Sequence, residues 1–99
     1  MIDFSKLDKV IHERGRLSIM TLLAGRAEWT FPELREELGL SDGNLITHLR
    51  TLEAQGYVVS SRNTPGTRRA THYHLTPQGR KAFEEYLAVL EAIVRRGKG

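Results

Sequence analysis

Cysteine is absent from the 99 residues. That removes disulfides and any thiolate metal site, and it fits a reducing compartment. No apolar run approaches the roughly 18 residues that a membrane span requires. The opening residues, MIDFSKLDK, have neither the basic start nor the apolar core of a secretory signal, so a cytoplasmic chain is expected. There is no glycine-rich phosphate loop and no carboxylate pair in a plausible pocket. Ser18, Ser41, Ser60 and Ser61 have no His/Asp constellation to activate them. The chain therefore reads as not an enzyme, with no cofactor. Acid is missing locally as well: between Tyr57 and Thr76 stand Arg62, Arg68 and Arg69 and no Asp or Glu. A local excess of positive charge is what a phosphate backbone selects.

What is present suffices for one small domain, or for one that completes itself with a partner. Hydrophobic residues make up 39% and charged residues 27%, with a net charge of +3. There are no internal repeats and no low-complexity tract.

The most informative stretch is 41–56, SDGNLITHLRTLEAQG. Ser41 is a good N-cap and Gly56 a good stop, which predicts a helix between them. Leu45, Leu49 and Leu52 recur at i, i+4 and i+7 and form one narrow apolar stripe. At about 100° per residue Thr47 points almost directly away from that stripe, with Arg50 and Thr51 on either side. Gly43 and Asn44 occupy the first turn of the same outer face. These are small or hydrogen-bonding residues, not the Glu/Lys mixture of an ordinary solvated helix. A DNA-reading helix needs leucines as anchors, small residues for close approach, and Asn or Arg for base edges. Asp42 could accept from a cytosine amino group, but stabilisation of the helix start is the favoured reading.

The flanking elements follow from pattern. Residues 3–12 read as an amphipathic helix with Phe4, Leu7 and Ile11 on one side, too short to stand without a packing partner. Residues 14–24 are apolar nearly all round and predict a buried core helix ended by Gly25. Residues 28–30 could form a very short strand, with Trp29 a packing residue. Thr30 and Glu33 fit a capping box, Pro32 is tolerated in the first turn, and Leu34 and Leu38 form the stripe of the next helix. Gly39-Leu40-Ser41 then makes the tight turn of a helix-turn-helix, with Leu40 plugging the angle.

After Gly56 the period changes. Residues 57–61 predict a strand, Thr64-Pro65-Gly66-Thr67 a type II turn, and residues 70–75 the returning strand. Residues 57–76 thus form a hairpin, with Arg62, Arg68 and Arg69 near its tip. Thr76 and Pro77 restart a helix that runs to about Arg96. Its stripe of Phe83, Tyr86, Leu87, Leu90, Ile93 and Val94 is too long for so small a domain to cover.

The order of elements, with HLRTLEAQGYV at 48–58 and LTPQGR at 75–80, resembles winged helix-turn-helix transcriptional regulators. The nearest are the small regulators between the MarR and ArsR groups, and the likeness covers nearly the whole chain. The fold class this implies is mainly α with a small β-hairpin, in a single domain. The resemblance implies a homodimer on palindromic double-stranded DNA, paired through the first and last helices (Phe4, Leu7, Ile11, Phe83, Tyr86, Leu87, Leu90, Ile93, Val94). It places Asn44, Thr47, Arg50 and Thr51 at the major groove, beside Ser41, Gly43 and His48. Arg62, Arg68 and Arg69 go to the wing, near the minor groove or phosphates. Metal-sensing members carry a cysteine pair before the turn, where this chain has Phe31-Pro32-Glu33-Leu34, so thiol-based sensing is excluded. A small-molecule effector, if one exists, would sit between the first helix and the last. The alternative is a winged helix used only for protein–protein contact.

The histidines have plainer readings beside the sharp ones. His72 and His74 alternate on one strand and share a face, but lack a third metal ligand, so a surface or phosphate position is preferred. His48 lies at the edge of the leucine stripe, where a phosphate contact and half-buried packing are both open. His12 would close the first helix and suit its dipole.

Overall fold

The computed structural model describes residues 2–62 and 70–98. Its elements are α1 (Arg14–Gly25), β1 (Trp29–Thr30), α2 (Phe31–Leu38), α3 (Asp42–Ala54), β2 (Val58–Arg62), β3 (Thr71–Leu75) and α4 (Pro77–Gly97). The strands form one antiparallel sheet in the order β1-β3-β2. Val58 faces Leu75 across β2 and β3, and Trp29 faces Tyr73 across β1 and β3. This is the winged helix architecture, mainly helical with a small sheet.

The starts of the helices are set by local chemistry. Thr30 accepts from Glu33 N while the Glu33 carboxylate accepts from Thr30 N, a complete capping box. Ser41 Oγ accepts from Asn44 N, and Thr76 Oγ1 accepts from Gly79 N. Gly39, at φ 65°, supplies the left-handed corner between α2 and α3, a conformation that a Cβ would oppose. The core joins Ile19, Met20 and Leu23 of α1 to Leu34, to the Leu45/Leu49/Leu52 stripe of α3, and to Tyr57, Val58, Tyr73, Leu75, Phe83 and Tyr86. Leu40 packs against it from the turn. Trp29 is a packing residue: its Nε1 donates to Leu22 O at 2.9 Å, and the Arg26 guanidinium stacks 3.6 Å from its ring.

The N-terminal segment departs from expectation. No helix spans 3–12; a 3-10 turn covers Phe4–Lys6 and further turns follow. The reason is Asp8, whose Oδ1 accepts from both Val10 N and Ile11 N and so offers the backbone an alternative to helix bonds. Its Oδ2 accepts from the Tyr57 hydroxyl, and His12 Nδ1 lies 2.8 Å from the Tyr86 hydroxyl. His12 therefore closes no helix; it ties the segment to α4. Ile11 is fully buried in the core, whereas Phe4 is 60% exposed.

The first turn of α4 presses on the residue that follows α3. A Cβ on Gly79 would lie 2.1 Å from the Tyr57 carbonyl oxygen, so only glycine allows this approach. Thr76 N donates to that same oxygen at 3.0 Å, and Thr76 Oγ1 donates to Gly56 O at 2.6 Å. Gly79→Ala should therefore destabilise the domain, by about 1–3 kcal/mol for overpacking against backbone, read from the midpoint of urea unfolding. Burial, then the bond to Asp8, pushes the Tyr57 hydroxyl up to about 12. A raised folded value means its contribution to stability is intact below pH 10 and lost as the pH rises toward 12. Tyr57→Phe should flatten that alkaline loss relative to wild type, leaving the part due to Tyr73 and Tyr86, whose hydroxyls burial also pushes up.

Candidate nucleic-acid interface

The two helices of the turn are fixed before anything reaches DNA. Leu45, Leu49 and Leu52 are essentially inaccessible, which sets the rotation of α3 about its axis. Arg35 of α2 reaches across the Gly39 corner to the Asp42 carboxylate at 3.0 Å. Asp42 thus serves the first turn of α3, where a negative charge suits the helix dipole, and ties that turn to α2. The Arg35 contact was not read from the sequence. The signal available was an arginine seven residues before an acid, with a tight glycine corner between them.

With the leucines inward, Gly43, Asn44, Thr47 and Arg50 are exposed on the opposite side, with Thr51 half-buried at its margin. A Cβ at Gly43 would meet nothing within 4 Å, so its value is a low profile, not a forced conformation. Thr47 Oγ1 donates to Gly43 O and Thr51 Oγ1 to Thr47 O. Each hydroxyl has spent its single proton on the helix and keeps only acceptor lone pairs, together with a methyl. Those groups suit an amino group or a thymine methyl in the major groove. Ser41 is engaged as the cap. Among the described residues no carboxylate lies within ion-pair distance of Arg50.

His48 is turned away from this face. Its side chain is 21% exposed and sits 3.6 Å from Glu13 at the start of α1, so it is half-buried between the two helices. On the hairpin, Arg62 is exposed at the end of β2. Arg68, Arg69 and the type II turn at 64–67 lie outside the described residues. The expected open face for His72 and His74 is not found: both are partly covered, and His72 Nδ1 lies 3.3 Å from Glu28 Oε1. His72 reaches Glu28 because β3 pairs with β1 on its far side, a pairing hidden in a two-residue strand.

The stripe of α4 divides in two. Phe83 and Tyr86 are buried in the domain's own core, as is Ile11, and these are not available to a partner. Leu87 and Val94 are 46% and 49% exposed, and Leu90 and Ile93 are half-buried. Leu7 is half-buried and packs on the core. No helix among the described residues is long and apolar enough to cross a membrane.

A buried-leucine recognition helix behind a capped turn, followed by a hairpin, defines a winged helix of the DNA-binding kind. The family model for the winged helix DNA-binding domain matches residues 16–94, and the chain belongs to that family, which includes transcriptional regulators. An uncharacterised protein of Methanocaldococcus jannaschii is 37% identical over 80% of this chain and 86% of its own length. A transcriptional regulator homologue from Pyrococcus horikoshii superposes with a TM-score of 0.82 at 29% identity, covering 87% of this chain and 85% of the other. The transcriptional repressor CouR, solved on a 23-mer DNA duplex, superposes with a TM-score of 0.73 at 26% identity, over 83% of this chain and 57% of its own.

The Arg35–Asp42 pair is exposed, so Arg35→Ala should change folding stability by no more than about 1 kcal/mol, an effect that shrinks as salt rises. Thermal unfolding at low and high salt checks this.

Proposed function

We propose that this protein is a homodimeric transcriptional repressor that reads an inverted-repeat operator with α3. The observation that carries the reading is the outer face of α3: Gly43, Asn44, Thr47 and Arg50 exposed together, with none of them an acid. On this reading Asn44 would bond an adenine edge and Arg50 a guanine edge or a phosphate, with Ser41, Thr47 and Thr51 along the groove wall. Arg62, Arg68 and Arg69 of the wing supply positive charge beside the duplex.

Pairing is supported by α4. No residue of that helix beyond Tyr86 is buried, which leaves about 16 Å of helix on which Leu87 and Val94 are exposed and Leu90 and Ile93 only half-covered. Phe4 is exposed on the N-terminal segment, whose Ile2, Asp3 and Lys6 lie against α4, and would add apolar area near that helix. Two copies joined there would set two recognition helices about 34 Å apart, in successive major grooves. Occupancy of a promoter excludes polymerase, and CouR, with a similar fold, is a repressor. An effector that changed the spacing of the two helices would alter operator affinity. The groove of 470 Å³ between Ile2, Lys6, Val89, Ile93 and Arg96 is where one would act.

The test is selection of bound fragments from a random DNA pool at about 150 mM salt, which suppresses weak phosphate binding. We expect an inverted repeat with half-site centres about ten base pairs apart, and Asn44→Ala should relax one position in each half-site at a cost of about 1–3 kcal/mol. Recovery of no motif would overturn the reading in favour of a protein-binding winged helix, and a monomer at micromolar concentration in sedimentation would overturn the paired geometry.

A further inference from the structure

His48 leaves α3 on the side facing the start of α1. Its Nδ1 is closed off from solvent and has no hydrogen-bond partner among the described residues. That nitrogen lies 3.6 Å from Glu13 Oε1, close but longer than a bond. The other edge of the ring lies over Gly15: a Cβ there would stand 2.5 Å from Nε2 and 2.7 Å from Cδ2. Glycine in the first turn of α1 is what admits the ring. The carboxylate opposite is anchored, because Glu13 Oε1 accepts from Arg16 N at 2.8 Å as the cap of α1. That bond holds the Glu13 carboxyl below the usual carboxylate range.

The charged groups around the ring are few. α1 contributes Glu13, Arg16 at 3.8 Å from the same carboxylate, and Arg14 across an adjoining cavity of 360 Å³. The turn contributes Leu38, Gly39 and Leu40 to that cavity, none of them titratable. On α3 itself Asp42 is paired with Arg35, Glu53 accepts from Ser60, and Arg50 is exposed.

We infer that His48 and Glu13 are positioning residues for the recognition helix, and that their hold on it depends on a proton. A neutral imidazole must adopt one tautomer to donate from Nδ1, whereas the imidazolium always donates there and adds a unit charge facing an anchored carboxylate. Protonation closes the contact, pairs the orphaned nitrogen and pins the middle of α3 to the start of α1. A duplex laid on α3 brings phosphates that favour the same charged state. Binding therefore takes up protons, and by linkage affinity rises as the pH falls, by at most about tenfold per pH unit for each copy.

This rests on the DNA-binding reading, so two measurements separate them. The first is operator affinity at constant salt from about pH 8 to about pH 5.5 for wild type, His48→Gln, Glu13→Gln and Gly15→Ala. His12, His72 and His74 are present in all four, so differences between profiles isolate His48. Wild type should tighten toward acid more steeply than each variant, Gly15→Ala included because its methyl displaces the ring. Matching profiles for wild type and His48→Gln would overturn the inference. Retention of the full wild-type profile by Glu13→Gln would also overturn it, assigning the proton to a phosphate contact. The second needs no DNA: a double-mutant cycle of Glu13→Gln and His48→Gln in unfolding, run at both ends of that range. Coupling that appears only at the acid end supports the inference, and coupling absent at both ends overturns it.

Discussion

Everything in this domain that has to hold a fixed orientation meets at Tyr57. Its N–H donates to Leu52 O, closing the end of α3, and its carbonyl accepts from Thr76 N at the threshold of α4. Its hydroxyl donates to Asp8 of the N-terminal segment, and its ring lies in the core. The glycine at 79 lets α4 come down on this junction without a side chain between the backbones. Recognition helix, hairpin and long helix are therefore not three elements with three independent poses. A buried backbone contact has few ways to relax, because interiors are close-packed and unpaired carbonyls are costly. The end of α3 and the start of α4 are joined through this one residue.

The sequence made much of this visible because the fold relies on strong, local signals. Thr30, Ser41 and Thr76 are caps whose partners lie three residues away, and the i, i+4, i+7 leucines of α3 specify its buried side. The same geometry made Asn44, Thr47 and Arg50 readable as a face. What was not legible came from contacts distant in the chain. Residues 3–12 have a helical pattern, yet Asp8 bonds its own backbone and a tyrosine 49 residues away. Ile11, Phe83 and Tyr86 look like interface residues on their helical stripes, but the core reaches out and takes them. His72 meets Glu28 only because a two-residue strand joins the sheet.

The face of α3 also shows how a helix can be made ready for a polar partner without being unstable alone. Its threonines satisfy their donors on the preceding turn, so they ask for nothing in the free protein and still offer acceptors and methyl groups to a groove. Gly43, in the first turn, weakens the helix slightly and keeps that face low. The Ser41 cap and the Asp42 charge offset that weakness at the end where it occurs.

The uneven burial of α4 has a further consequence. The first half of the helix is committed to the domain's own core through Gly79, Phe83 and Tyr86, and nothing past Tyr86 is fully buried. Substitutions at the exposed positions of the second half, Leu87 and Val94 among them, thus weigh little on folding. That stretch can drift in sequence while the domain that carries it stays the same. Under the pairing proposed above, duplicated copies of such a gene would acquire separate identities by changing a few turns at one end, each ceasing to mix with the other long before either changed the DNA it reads.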